Sequence, residues 1–394
     1  MRIALPCGHF PKVNTRSLAF AAALALGVVG GSAVAVGWAF RGGARPRSSG
    51  GSPSPIACNI REVRPKIAAR PAAPVPVAPE RVPPGADDVP ARDRRLAQGH
   101  TALELLAAAA DGHTGDQLPA RLEAILRADP AAIAPAVALL RSGKAEKPVI
   151  EALGAAGTPP AQAGLCALAR DTSLPVSVRQ EAIAGLVLVK QPTAPTMATV
   201  GRLLEGRATG VRRAARAVAG TVARVGRPEH VAESEAIEKT LLGEYARARD
   251  DGDRALALAA LANLGSPAVL APVKAALGDG ERPVRAAAAR ALRLVPDPAA
   301  DRLLVGLLRS DRDPAVRAAA IFAAGFRDLA PLVDGLAETA ETDPVESVRT
   351  DTVTLLARYA NTSPRVTRAL AYAADNDPKA NVRQIARAAL DRGR

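Results

Sequence analysis

Residues 283–292 read PVRAAAARAL, a proline and a Val-Arg pair followed by an alanine-rich apolar run. Such pairs recur at the starts of similar runs: Val178-Arg179, Val211-Arg212, Val284-Arg285, Val316-Arg317, Val348-Arg349 and Val382-Arg383. Arg254 opens a further run, and successive arginines lie 33, 42, 31, 32, 32 and 34 residues apart. A helical period of about 20 to 50 residues is typical of a solenoid of stacked units.

The stretch around residue 284 also predicts which face of its helix is buried. Val284, Ala288, Ala291 and Val295 follow the i, i+4, i+7, i+11 spacing of one apolar stripe. Prolines at helix starts and Gly/Asp turns between runs divide each unit into a helical hairpin that cannot bury its apolar face alone. The predicted helix pairs are 267–277 with 283–294, 298–309 with 314–324, 328–340 with 344–359, and 364–374 with 378–390.

Upstream, the pattern is less regular. Lys147 lies 32 residues before Arg179, in phase with the array, so the solenoid is predicted to cover residues 147–394. Residues 96–146 are predicted to form a helical N-terminal cap. Its short helices are expected at 103–110, 118–126 and 133–140.

Arg212 and Arg254 are 42 residues apart, whereas the period of the array is about 32. This interval therefore contains about ten extra residues. These extra residues are placed near 228–253, a segment rich in Asp and Glu.

The N-terminal part of the chain predicts export. Residues 17–40 carry no charge and have basic residues on both sides, as expected of a transmembrane helix. A cleaved signal peptide with Ala33-Val34-Ala35 as its cleavage site is the alternative. We favour a retained anchor in residues 1–41, because the apolar run continues through Trp38 and Phe40. Either interpretation places the repeats outside the cytoplasm, the first as a single-pass membrane protein and the second as a secreted or periplasmic one.

Residues 42–95 are predicted to be a disordered, proline-rich linker that holds the repeats away from the membrane. The positive charge of the chain is concentrated in its N-terminal part, to which this linker belongs. Residues 1–95 contain 14 Lys and Arg against 5 Asp and Glu, whereas residues 96–394 contain 38 against 34. The net charge of +13 therefore comes mainly from the tail. A nearly balanced repeat region argues against nucleic acid as the partner.

A second regularity overlies the first, because an aspartate precedes the arginine by six residues in the last four units. The pairs are Asp279 and Arg285, Asp311 and Arg317, Asp343 and Arg349, and Asp377 and Arg383. This pattern resembles the HEAT repeat, and its short period is similar to the phycobilisome-lyase-type branch of that family. The resemblance implies an all-α, right-handed α-solenoid in which these residues form a hydrogen-bonded ladder between neighbouring repeats.

The alternative to a ladder is that each aspartate caps a helix while each arginine is solvated. Exposed ion pairs contribute only about 0 to 1 kcal/mol each. We therefore expect the ladder to set the register between units, and we expect Arg285→Ala to be mild.

A weaker resemblance is to the helical superhelix of vitellogenin-type lipid-transfer proteins. It is carried by residues 257–267, ALAALANLGSP, and residues 153–159, LGAAGTP. That resemblance implies lipid binding. Those proteins hold lipid mainly with β-sheets, and aromatic and β-branched strand formers are sparse here, with 2% aromatic residues.

Catalytic and metal-binding motifs are missing from the sequence. HEAT-type di-iron hydroxylases carry His-Glu pairs, but none of the four histidines here is followed by glutamate. There is also no glycine-rich phosphate loop. We therefore predict no enzyme activity, no cofactor and no metal, and we consider a small-molecule ligand unfavoured.

One basic patch stands out. Seven arginines between residues 202 and 227 are accompanied by one acid, Glu205. Arg212, Arg213 and Arg216 form the candidate site for an anionic partner, with a solvated or neutralised face as the alternative. The hypothesis from the sequence is a non-enzymatic HEAT-repeat scaffold that binds another envelope protein. The alternatives are a lipid- or anion-binding protein and a lyase-like accessory protein.

Overall fold

The computed structural model describes residues 101–110, 118–143, 146–360 and 362–392. Within them all regular secondary structure is helical. The α-helices are, in chain order, α1 Ala102–Ala110, α2 Leu118–Ala128, α3 Ile133–Arg141, α4 Glu146–Ala156, α5 Pro159–Arg170, α6 Val176–Gly185, α7 Ala194–Leu204, α8 Thr209–Gly226, α9 Val231–Arg247, α10 Asp251–Leu261, α11 Leu270–Ala276, α12 Arg282–Ala291, α13 Pro298–Ser310, α14 Pro314–Ala324, α15 Val333–Thr342, α16 Glu346–Leu356, α17 Pro364–Asn376 and α18 Ala380–Asp391.

Proline and a capping side chain start several of these helices. Proline is favoured at the first helical position, where its missing N–H group would have no partner in the helix. An Asp or Ser before the proline accepts a hydrogen bond from a free backbone N–H group of the first turn. The caps of α13, α14 and α17 are Asp297, Asp313 and Ser363, which accept from the N–H groups of Ala299, Ala315 and Arg365 at 2.7, 2.8 and 3.2 Å.

Short 3-10 turns change the ends of some predicted helices. The predicted helix 283–294 ends as an α-helix at Ala291 and continues as the 3-10 turn Leu292–Leu294. The predicted helix 344–359 likewise ends at Leu356, before the turn Ala357–Tyr359. The last carbonyl groups of an α-helix have no partner four residues later, and the tighter 3-10 bonds satisfy some of them.

The helices stack as a solenoid of paired helices. The second helix of each pair packs on the second helix of the next pair, and this row runs without interruption from α4 through α6, α8, α10, α12, α14 and α16 to α18. The predicted stripe of Val284, Ala288, Ala291 and Val295 lies in the core, each residue being at most 1% exposed. Burial of these stripes between neighbouring units is what holds the array together.

The extra residues between Arg212 and Arg254 lengthen helices instead of forming a loop. Helix α8 has 18 residues and α9 has 17, whereas α6 has 10 and α10 has 11. The acidic segment near 228–253 is therefore largely the helix α9, which packs against α7, α8 and α10.

The membrane segment predicted at residues 17–40 and the linker at 42–95 lie outside the described residues. Of the helices that the structure does describe, none is long and apolar enough to cross a bilayer. In the predicted cap region, α1, α2 and α3 are present, and α2 packs against α4. The limits of the four predicted segments stay predictions.

Close packing between α4 and α6 depends on glycine. A Cβ atom added to Gly154 would lie 2.2 Å from the carbonyl oxygen of Gly185, so Gly154→Ala must separate the two helices. We expect a loss of about 1 to 3 kcal/mol, seen as a lower midpoint of thermal unfolding by circular dichroism.

Gly306→Ala is the matched control for Gly154→Ala. Gly306 lies in the interior of α13 with no atom near its Cβ position. This substitution should stabilise the chain by up to about 1 kcal/mol, because alanine favours helix more than glycine does. Equal effects of the two substitutions would contradict the close approach of α4 and α6.

Candidate functional site: the arginine ladder and the arginine clusters

Arginines of successive second helices pair with aspartates of the following unit. Arg317 at the start of α14 binds Asp343 through two parallel hydrogen bonds, from Nε to Oδ2 at 2.6 Å and from Nη2 to Oδ1 at 2.9 Å. The same two-pronged contact joins Arg285 to Asp311 at 3.0 and 3.3 Å, and Arg349 to Asp377 at 2.7 and 3.1 Å. A planar guanidinium matches a carboxylate in this geometry, so each rung fixes the offset between two units.

Each rung is also tied to the backbone. The Nη1 atom of Arg317 donates to the carbonyl oxygen of Asp311, in the turn just before its own helix, at 2.9 Å. The Oδ1 atom of Asp343 accepts from the N–H group of Val345 at 2.9 Å. One arginine therefore connects the turn of its own unit to the turn of the next. Arg383, in the last unit, keeps the bond to its own turn, donating to the Asp377 carbonyl oxygen at 2.6 Å.

These rungs are buried, which differs from the exposed pairs expected from the sequence. The side chains of Arg317 and Asp343 are 9% and 4% exposed, and those of the other two rungs range from 2% to 8%. Stacked units cover both partners, because the aspartate lies in the turn against which the next unit packs. Removing one partner therefore leaves a buried charge without compensation, and a mild effect of Arg285→Ala is no longer expected.

The ladder weakens towards the N-terminus. Arg254 contacts Asp279 at 2.8 Å, but its side chain is 35% exposed. Arg212 reaches only the carbonyl oxygen of Gly206 in the turn of its own unit, at 3.5 Å, because Ala248 occupies the position of the aspartate in the following unit. Within the described residues, rungs that join one unit to the next extend from Arg254 to Asp377.

The ladder predicts loss of stability in acid. Burial alone would raise the pKa of Asp311, but the hydrogen bonds from Arg285 and from the N–H group of Asp313 outweigh burial and lower it. The pKa of Asp377 is lowered in the same way against the effect of burial, by Arg349 and the N–H group of Lys379. A carboxylate with a lowered pKa in the folded state stabilises that state above its unfolded pKa of about 3.9, and this contribution is lost as the pH falls through the folded pKa.

We therefore expect thermal stability to fall steeply below about pH 4. Asp311→Asn should make this fall shallower, because that rung no longer titrates. Asp334→Asn is the control, since the Asp334 side chain is 87% exposed. The measurement is the midpoint of thermal unfolding from pH 7 to pH 3, and identical profiles for both variants would contradict a titrating ladder.

The predicted basic patch is partly neutralised. Arg216 donates from Nε to Glu244 of α9 at 2.8 Å. Arg213 is exposed and Arg212 is half-buried, and both lie on α8 with Arg216. Outside the predicted trio, Arg227 also pairs with an acid of α9, Glu238. The acidic residues of α9 thus neutralise part of the positive charge of the basic patch. Arg213 is the most accessible of the three predicted residues.

A second arginine cluster lies further along the same row of helices. Arg293 is 4% exposed, and the groups that it contacts are the side-chain oxygen of Asn263, the carbonyl oxygen of Arg290 at 3.2 Å, and the ring of Phe326 at 6.0 Å. Arg224 donates from Nε to the carbonyl oxygen of Asn263 at 3.2 Å. Burial, together with the positive charges of Arg224 and Arg290, lowers the pKa of Arg293 to about 10, so it stays charged at neutral pH.

This cluster is not among the predictions from the sequence, although the sequence contains a signal for it in the position of Arg293 within its unit. Arg293 lies eight residues after the ladder arginine of its unit, a position that is small or apolar in five of the six other units and is Asp391 in the last. Those five residues are Val187, Gly220, Ala262, Gly325 and Ala357. Arg224 is one of the seven arginines between residues 202 and 227, but its contact with Asn263, 39 residues later, depends on how the units stack.

Among the described residues, no three His, Cys, Asp or Glu side chains are arranged to hold a metal ion. Cys166 is buried, and its sulfur lies 3.7 Å from Oγ1 of Thr196. Burial is also the main cause that raises the pKa of this thiol, which disfavours the reactive thiolate form.

Residues 239–325 and 302–391 match the family model of HEAT repeats. This part of the chain therefore consists of HEAT repeats, in agreement with the resemblance carried by its Asp and Arg residues. No curated protein matches the chain in sequence.

Solved structures similar to the chain include both kinds of protein suggested by the sequence. A lipovitellin structure is 18% identical over 73% of this chain, with a TM-score of 0.48. The CpcE–CpcF complex of phycocyanin lyase from Nostoc sp. PCC7120 is 21% identical, covering 60% of this chain and 91% of that chain, with a TM-score of 0.39. Human deoxyhypusine hydroxylase is 20% identical, covering 77% and 98%, with a TM-score of 0.28. The chain spans 34% of the length of the lipovitellin chain that it matches.

Proposed function

We propose that this chain, whose residues 239–391 match HEAT repeats, is a non-enzymatic scaffold that binds another protein of the cell envelope. The observation that carries the proposal is the uninterrupted row of second helices, held in register by buried arginine–aspartate rungs. Stacked helical repeats of this kind present an extended surface, which suits a protein or peptide ligand. The balanced charge of residues 96–394 disfavours nucleic acid.

The proposal extends to the position of the repeats in the cell. Residues 17–40 anchor the chain in a membrane, residues 42–95 act as a spacer, and the repeats lie outside the cytoplasm. The support is the uncharged run and the proline content of the sequence. The N-terminal sequence of the mature chain tests the anchor directly. A mature chain that begins after Ala35 would replace the anchor by a signal peptide and leave the repeats secreted or periplasmic.

The binding function is tested by cross-linking in cells. A photo-reactive amino acid is placed in the full-length chain at Leu256 on α10, or at Tyr372 on α17, which are 46% and 47% exposed. Captured molecules are then identified by mass spectrometry. One dominant protein captured from either position supports the scaffold and shows which row of helices binds it. Lipid captured without protein contradicts the scaffold and favours the lipid-binding alternative.

A further inference from the structure

Arg293 is an unusual residue for the place that it occupies. The corresponding position is small or apolar in the five other units named above, and Arg293 itself is 4% exposed. The buried ladder arginines Arg285, Arg317 and Arg349 each have a carboxylate partner, as Arg317 has in Asp343. The acceptors of Arg293 are neutral: the side-chain oxygen of Asn263 and the carbonyl oxygen of Arg290. A buried cation without an anion is costly unless something compensates its charge.

Two further cations surround this position. Arg290 precedes Arg293 by three residues, and Arg224 approaches from α8 to donate to the carbonyl oxygen of Asn263. Neither forms an ion pair with a carboxylate of the described residues, and, after burial, the positive charges of both lower the pKa of Arg293. Three positive charges thus lie close together at this position. Such a cluster favours an anionic ligand.

Two arginines of the cluster are open to solvent, and the cluster has an aromatic neighbour. Arg224 and Arg290 are exposed, and Phe326, whose ring lies 6.0 Å from the guanidinium carbon of Arg293, is 44% exposed. Phe326 also contacts Phe322, with 5.1 Å between the ring centres. The surface therefore combines cationic groups with an accessible apolar face, as found in binding sites for peptides that carry both acidic and apolar side chains.

The contacts limit the size of the site. Arg224 and Arg293 both bind Asn263, and the Phe326 ring lies 6.0 Å from the guanidinium carbon of Arg293. These groups therefore lie within about 15 to 20 Å of one another, which is the length of an extended peptide of about five residues. A single small anion reaches only part of this length.

We propose that Arg224 and Arg290, beside the buried charge of Arg293, bind an acidic peptide segment of the partner protein, with its carboxylates on the two exposed guanidinium groups and an apolar side chain against Phe326. This inference rests on the proposed scaffold function and names the chemistry of the partner. The predicted patch at Arg212 and Arg213 lies elsewhere on α8 and serves as the comparison.

The test measures peptide binding to the full-length chain by fluorescence anisotropy. The probe is a labelled ten-residue peptide of alternating Glu and Leu, and the control probe has Gln in place of Glu. We expect the Glu peptide to bind at least ten times more tightly than the Gln peptide, with an affinity that falls as salt is added. Equal binding of the two peptides would overturn the inference.

The location is tested with two double variants that remove the same charge. Arg224→Gln with Arg290→Gln changes exposed side chains, its folding is checked by circular dichroism, and it should weaken binding of the Glu peptide at least tenfold. Arg212→Gln with Arg213→Gln should change it less than twofold. Equal weakening by both variants would mean diffuse attraction by net charge, and competition by millimolar inorganic phosphate as effective as by unlabelled Glu peptide would mean a site for small anions. Both results overturn the proposal.

The two proposals fail separately. If the Glu peptide does not distinguish the variants while cross-linking at Leu256 or Tyr372 still captures one protein, the scaffold stands and this site is wrong. If the peptide data hold but cells yield lipid without protein, the scaffold is wrong, and with it the assignment of the ligand to a protein partner.

Discussion

Val284→Asp is expected to unfold the units on either side of α12. Val284 is fully buried, in the stripe that faces the neighbouring second helices. A carboxylate at this position has no cationic partner and must either stay charged in an apolar core or take up a proton. The expected loss is several kcal/mol, about 3 to 5. The measurement is thermal unfolding by circular dichroism combined with hydrogen exchange, which should show lost protection in α10, α12 and α14.

Val176→Asp is the matched control, because it is the same substitution at an exposed valine. Val176 is 48% exposed and is the first residue of α6. An acidic residue in the first turn of a helix is slightly favourable, so this variant should melt within a few degrees of the parent. If Val284→Asp also melted like the parent, the assignment of the buried face of α12 would be wrong.

Arg317→Ala is expected to have the second-largest effect. It removes both hydrogen bonds to Asp343, a carboxylate that is 4% exposed in the parent, and leaves it without its ion-pair partner. It also frees the carbonyl oxygen of Asp311. We expect a loss of about 2 to 4 kcal/mol, measured as the change in the free energy of unfolding in urea. The loss should be accompanied by faster hydrogen exchange in the turns on both sides of α14.

Arg309→Ala is the control for the ladder, because Arg309 pairs with Glu338 at 2.8 Å with both side chains about half exposed. Its loss should cost no more than about 1 kcal/mol. A double replacement, Arg317→Ala with Asp343→Ala, should recover part of the stability lost by Arg317→Ala alone, because no unpaired carboxylate remains. An effect of Arg317→Ala as small as that of Arg309→Ala would contradict a buried rung.

Local signals explain why the helices lie close to where the sequence predicts them. Pro298 and Pro314 start helices because of their own backbone geometry, and the stripe that includes Val284 follows from the pitch of a helix. The predicted ends moved at Ala291 and Leu356, where the choice between α and 3-10 hydrogen bonds depends on the packing of the last turn. The long interval before Arg254 was visible, but whether it formed a loop or longer helices depended on α9 packing against three neighbours.

The sequence by itself determined the period, the helical hairpins, the buried stripe and the HEAT character of residues 239–391, because each follows from residues within one unit. Only the tertiary structure decided that Arg285 forms two hydrogen bonds to the carboxylate of Asp311 in the next unit, and that such rungs are buried. It also decided that Glu244 of α9 neutralises Arg216. It also brought Arg224 and Arg293 together around Asn263. The physical reason is that these contacts join residues 26 to 39 positions apart. Their existence depends on the offset with which one unit stacks on the next, and packing across the whole interface sets that offset.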